Sequence, residues 1–225
     1  SPGLFKIPLP DAAPQRSNLG WMDAGFFRQW QESQAAPRDH ADDLLPRTID
    51  FAGEVGTRYI VGFSFHRAGA AGGPAPAQAI DQLAAAADRV RAAGLELLIE
   101  TEEGFWADTG ARSAAVVAAI GAGRVGINWD PANSFCEGDD PFPTGYAALR
   151  QHVRNVHFKD ARRDADGRAT FVADGAIDWQ GQIAALARDG YSGAIAVEPH
   201  LERPVAAVRH SLKRLRSLIA AAAGQ

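Results

Sequence analysis

The chain has 225 residues, 46% hydrophobic and 22% charged, which suits one domain with a substantial core and excludes a chain disordered throughout. Its 23 basic and 27 acidic residues leave a net charge of −4, which argues against a duplex-binding surface. Cys136 is the single cysteine, so no intrachain disulfide can form, and neither a run of about eighteen apolar residues nor a signal-peptide pattern is present. A cytoplasmic setting is expected, with a small-molecule partner rather than nucleic acid or membrane; a homo-oligomer is left open.

The opening SPGLFKIPLP reads as the end of an element rather than a beginning. Residues 8–40 are rich in Pro, Asp, Gln and Arg and carry Trp21, Phe26, Phe27 and Trp30. Linkers rarely hold so many large aromatics, so an active-site loop with a short helix is expected there. A helix over 44–55 stops at Gly56, a good C-cap residue. The strand TRYIVGFSF (57–65) follows, rich in β-branched and aromatic residues. Ile80, Leu83, Ala87 and Val90 fall on one helical face, ended by Gly94.

LELLIET is the next strand, then a helix over 111–120, then the strand RVGINWD. A helix near 146–152 precedes the strand VRNVHFKD, and a long loop is expected over 161–177. Asp178 caps a helix carrying Ile183 and Leu186, ended by Gly190. GAIAVEPH is the last strand. Val205, Val208, Leu212, Leu215 and Ile219 mark a closing helix, whose basic face (Arg209, Lys213, Arg214, Arg216) is expected in solvent.

Strands alternating with helices predict parallel pairing through right-handed crossovers. Five strands are legible, near 57, 95, 124, 153 and 193. An open doubly wound sheet would bring a Gly-rich phosphate loop after its first strand, and none follows 57–65. The expected architecture is therefore α/β: a single (β/α)8 barrel domain over 1–225 that lacks its first strands in this chain.

Four strands end on a charge or an imidazole: Glu100 after LELLI, Asp130 after RVGINW, His157 after VRNV and Glu198 after AIAV. In a parallel barrel all strand C-termini open on one face, so these four converge. Two Glu, one Asp and one His, with no thiolate, argue against a structural zinc site. They favour one divalent ion, Mn²⁺ first, with Mg²⁺, Co²⁺ or Zn²⁺ as alternatives.

Such an ion acts as a Lewis acid on a carbonyl and stabilises an enediolate. Glu100 and Glu198, from well-separated strands, then serve as base and acid at carbon. Glu102 and Glu103 are expected in a solvated loop. Asp130 precedes a proline and would equally cap a helix. Asn133 could hydrogen-bond a substrate or reach the metal, Lys159 shares the strand parity of His157, and His200 follows the Glu198 motif. Asp164-Ala165-Asp166-Gly167 reads as a turn and Cys136 as a bystander; Trp21, Trp106 and Trp129 would stack on a sugar or simply pack.

Taken together, LLIETEEGF, VGINWDPANSF, VHFKDAR, GAIDW and AVEPH resemble, over roughly 57–220, the strand-end motifs of the xylose isomerase-like TIM barrels, the sugar-phosphate isomerase/epimerase family. The resemblance implies Glu100, Asp130, His157 and Glu198 as ligands of one metal, often Mn²⁺, with the two glutamates as the acid/base pair. It also implies that His66 faces the pocket. Arg163 (or Arg162) would contact substrate, and Lys6 would be a pocket residue in a segment like that after the family's third strand. The family's first two strands and most of its third have no counterpart, and a fragment or shortened gene start is expected.

The implied activity is a divalent-metal-dependent isomerase or epimerase of a sugar or sugar phosphate. A keto-sugar or cyclitol dehydratase on the same site is the alternative. An endonuclease IV-like repair enzyme is disfavoured because Asn133 stands where a His would be expected and 161–177 contains no His. A non-catalytic barrel is disfavoured because all four ligand positions are filled.

Overall fold

The computed structural model describes residues 3–9, 39–67 and 70–224. Strands β1 (Tyr59–Gly62), β2 (Glu96–Glu100), β3 (Val125–Trp129) and β4 (Val153–Phe158) are joined by β7 (Ala194–Val197) in one sheet. Its order is β1-β2-β3-β4-β7 and every pair is parallel. These are the five strands read from the sequence. Each new strand adds on the same side of the last. A doubly wound sheet would reverse direction at a switch point, so the sheet is a curled half-barrel wall of the (β/α)8 kind.

Helix α1 (Leu45–Val55) precedes β1, α2 (Ala77–Ala92) and α3 (Gly110–Ile120) link β1 to β2 and β2 to β3, and α6 (Trp179–Arg188) and α7 (Pro204–Ala223) flank β7. Local signals set their ends. Gly56 closes α1 at φ 68°, a left-handed conformation that costs glycine little. The Thr109 and Asp178 side chains accept backbone N–H bonds at the starts of α3 and α6. Leu97, Ile99, Val125, Ile127, Trp129, Val156 and Phe158 pack into the core with Leu83, Val90, Val117 and Ile183 from the helices. Because side chains alternate along a strand, the other face carries Glu100, Asn128, Asn155 and His157.

Upstream of the sheet, residues 3–9 lie along the edge of β1. Phe63 N–H donates to Leu4 O and His66 N–H to Ile7 O, each at 2.9 Å. Leu4, Phe5, Ile7 and Leu9 are buried there. The expected active-site loop falls mostly on residues 10–38, outside the described residues.

Three expectations need correction. The segment 161–177 is not a plain loop: β5 (Asp160–Arg163) and β6 (Ala169–Val172) pair antiparallel, and the expected Asp166-Gly167 turn joins them. The helix expected near 146–152 forms as α5 (Tyr146–Leu149) running into a 3-10 turn (Arg150–His152), and a short helix, α4 (Pro131–Cys136), precedes it. On α7 the buried residues are Ala207, Ser211 and Leu215, while Val205, Leu212 and Ile219 are exposed. The helix packs on α6 and β7 through a narrow buried row, so the apolar stripe read from sequence is wider than its contact. Nor is its basic face wholly solvated, since Arg214 donates to Asp160 Oδ2 at 2.7 Å.

Candidate metal centre

β2, β3, β4 and β7 each deliver one donor to the same point. One oxygen or nitrogen from each of Glu100, Asp130, His157 and Glu198 lies within 4.8 Å of the others. His157 Nδ1 sits 3.5 Å from Glu100 Oε1, 3.5 Å from Asp130 Oδ2 and 3.2 Å from Glu198 Oε2. Register explains the convergence. Glu100 is level with Asn128 and Asn155, and His157 with Ala196, so Asp130, His157 and Glu198 close the C-terminal end together.

Asp130 meets both of its sequence readings at once. Its Oδ1 accepts the Ala132 and Asn133 N–H groups at 2.9 Å each and caps α4. Oδ2 is left for the site. It lies 2.8 Å from Lys159 Nζ, a close charge pair without the alignment of a hydrogen bond. Among the described residues, buried Asp130 Oδ2 and His157 Nδ1 have no hydrogen-bond partner, and both face the cluster centre. Unsatisfied donor atoms beside three carboxylates and one imidazole fit a divalent cation of hard or borderline character.

The charges are tightly coupled. Burial alone would lower the His157 pKa, but Asp130, Glu100 and Glu198 outweigh it and push the value up to about 12. Burial likewise opposes the charged forms of Asp130 and Glu198. Lys159 and His157 outweigh it and hold both carboxylates below the usual range. Lys159, buried but facing Asp130 and Glu198, is held above its ordinary value.

The remaining candidates occupy different places. Asn133 donates to Thr101 O at 3.1 Å and to Glu102 Oε2 at 2.7 Å. Lys6 pairs with Glu102 Oε1 at 2.5 Å and stands 4.4 Å from the centroid of the Phe63 ring. Glu102 is thus no solvated loop residue: two partners hold it, and burial raises its pKa. His66 is buried against the edge of Phe105; burial, then Arg67 and Lys6, lowers its pKa to about 4.

His200 Nε2 approaches Glu198 Oε1 at 3.4 Å from an exposed position. The Arg163 guanidinium donates to Gly167 O and Phe135 O, at 2.8 and 2.9 Å, and so ties the hairpin to α4. Trp129 is a core residue whose Nε1 donates to Gln182. Cys136 is half-buried, and burial pushes its thiol up to about 12, so it stays protonated near neutrality.

Sequence reasoning missed a second layer behind the donors. Asn128 Nδ2 lies 3.1 Å from both Glu100 Oε2 and His157 Nε2, and Asn155 Nδ2 donates to Asn128 Oδ1 at 2.7 Å. Two amides inside apolar strands, in phase with Asp130 and His157, were the available signal. The loop after β2 is braced by Glu137, which accepts Gly104 N–H at 2.6 Å and pairs with Arg67. Arg67 and Arg112 also engage fully buried Asp108, whose pKa is raised to about 6 by burial and by Glu137.

Comparison with known proteins agrees with this architecture. No curated protein sequence matches the chain. L-ribulose 3-epimerase is 18% identical, with a TM-score of 0.64 over 85% of this chain and 70% of its own. A xylose isomerase-like TIM barrel protein from Mycobacterium smegmatis, in complex with magnesium, gives 18% and 0.65 over 94% and 81%. The probable 3-DHS dehydratase AsbF from Bacillus anthracis gives 16% and 0.65 over 80% and 71%. At these identities the likeness is one of fold. The family model described as xylose isomerase-like TIM barrel matches residues 18–218. With that match, the half-barrel wall and the four strand-end donors, the chain belongs to the xylose isomerase-like TIM barrel family.

Proposed function

We propose that the protein is a divalent-metal-dependent isomerase or epimerase of a sugar or sugar phosphate, acting by proton transfer at a carbon next to a carbonyl. One observation carries this reading. Glu100 and Glu198 come from β2 and β7, with two strands between them, yet both carboxylates reach the same imidazole, at 3.5 and 3.2 Å.

Glu100, Asp130, His157 and Glu198 would hold the ion, with Mn²⁺ favoured by the mixed oxygen and nitrogen set. When bound it supplies Lewis acidity toward the substrate's carbonyl and hydroxyl oxygens, lowering the cost of an enediolate. One glutamate removes the proton at carbon. The other returns it, to the opposite face of the same carbon for epimerisation or to the neighbouring carbon for isomerisation. Lys159, Asn133, His66, Lys6, His200 and Arg163 are the substrate contacts of this reading, and a cytoplasmic small molecule is the partner.

Dehydration of a keto-sugar or cyclitol is the second reading. It begins with the same proton abstraction and ends with loss of hydroxide, and the fold shared with AsbF favours keeping it. The test is metal content followed by a panel of keto-sugars in D₂O. About one Mn²⁺ per chain, absent from Glu198→Gln, with deuterium entering the carbon next to the carbonyl, supports the proposal. Exchange followed by water loss selects the dehydratase. A folded protein that binds no ion overturns both.

A further inference from the structure

The interior of a parallel barrel is normally filled by branched apolar side chains. Level with Glu100, and one step below Asp130 and His157, this protein places two amides, Asn128 and Asn155, side by side on β3 and β4. Asn128 is fully buried and touches two of the four donors. A buried amide in this position is costly unless its polar atoms are served, and here each one has a polar neighbour. Its NH₂ meets Glu100 Oε2 and His157 Nε2; its carbonyl accepts from Asn155.

From this arrangement we infer that Asn128 is a positioning residue of the centre, acting through Glu100 and His157, with Asn155 controlling which way its amide faces. The inference rests on the metal reading above. His157 presents Nδ1 to the three carboxylates, so Nδ1 is the atom that would ligate. A ligating imidazole is neutral, and its one proton then sits on Nε2, the atom facing Asn128. An amide NH₂ cannot serve an N–H donor.

Toward a protonated Nε2 the Asn128 amide faces the other way, so that its carbonyl accepts His157 Nε2–H. Its NH₂ then faces Asn155, whose half-buried amide turns with it to present oxygen. Glu100 Oε2 loses its amide donor in that setting. The pair thus offers two settings, the amide nitrogen toward an Nε2 that carries no proton and the carbonyl toward one that does. Each keeps the His157 ring plane where Nδ1 points at the donors.

Asn128→Leu keeps the branched shape and removes both settings. Asn155→Asp offers only acceptors, so it holds the Asn128 NH₂ and leaves the carbonyl for His157. Mn²⁺ affinity by electron paramagnetic resonance titration is expected to fall about 10- to 100-fold in Asn128→Leu. It should be retained or tightened in Asn155→Asp and weakened a few-fold in Asn155→Leu. In zinc-loaded wild type, two-bond ¹H–¹⁵N spectra should show His157 protonated at Nε2 with a hydrogen-bonded proton shift, which is lost in Asn128→Leu.

If Asn128→Leu does not fold, the Asn155 pair carries the comparison. Equal affinities across folded variants, with an unchanged His157 signature, overturn the inference while leaving the metal reading intact. Wild type that takes up no Mn²⁺ overturns the metal reading itself and this inference with it.

Discussion

Asp130 and Glu198 flank the same Lys159 ammonium, at 2.8 and 3.2 Å, yet the protein holds them in opposite ways. Asp130 stands just past the end of a central strand, its side chain is fully buried, and two backbone N–H groups fix one oxygen. Glu198 stands past the end of the edge strand with 36% of its side chain exposed, and its partners are the side chains of His157, Lys159 and His200. Asp130 is built into the scaffold, whereas Glu198 is held by charge. A centre made this way has one rigid wall and one adjustable wall, which suits a donor asked both to ligate and to move a proton.

The comparison is broken most forcefully at Asp130. Asp130→Ala removes the cap of α4, worth about 1 kcal/mol, and leaves buried Lys159 without its nearest carboxylate, worth about 3–5 kcal/mol. A loss of roughly 4 kcal/mol in urea unfolding is expected, with no Mn²⁺ uptake. A loss below about 1 kcal/mol would show that Lys159 is satisfied elsewhere.

Glu198→Gln tests the adjustable wall. Wild type should gain about 2.7 kcal/mol of stability at free Mn²⁺ of about one hundred times Kd. The variant should show no such gain, while its metal-free stability stays within about 1 kcal/mol of wild type, because the lost contacts are part-exposed. A large metal-free loss would mean that the edge is as scaffolded as the centre.

His66, on the segment after β1, gives a pH signature separate from the donors. Its folded pKa is about 4 against 6.5 in the unfolded chain. The unfolded state therefore binds more protons between those values, and the stability this group contributes is present above 6.5 and lost as pH falls toward 4. Between pH 7 and 4.5 this amounts to about 2 kcal/mol. The difference between wild type and His66→Phe should shrink by that amount, and parallel pH curves would refute it.

The smallest effect is expected from Arg163→Ala. Losing two bonds to backbone carbonyls costs about 1 kcal/mol, read as faster hydrogen exchange in β5 and β6. Faster exchange with unchanged catalytic efficiency would confine Arg163 to bracing the hairpin and remove it from the proposed substrate contacts.

Much of this was written in the chain. The strand LELLIE and the strand ending in Asp130 are short apolar runs closed by a carboxylate, and a carboxylate buried there demands a partner. That demand made Glu100, Asp130, His157 and Glu198 legible together although 98 positions separate the first from the last. The same logic failed at Glu102. Its neighbours in sequence are polar, so it reads as a solvated loop, but Lys6 and Asn133 come from distant elements to hold it. It failed again in the hairpin β5–β6, whose mixed polar strands lack the alternation that marks a half-buried sheet.

By itself the sequence determined the element order, the parallel pairing and the four donor positions, because periodicity, cap residues and misplaced charges are local signals. Only the tertiary structure decided which atoms face one another. Register set Asn128 beside Glu100 and Asn155, the cap of α4 left Asp130 a single free oxygen, and the sheet edge left Glu198 part-exposed. Those outcomes depend on distances between strands that no local pattern encodes, since a side chain's partners are fixed only when the sheet has closed around them.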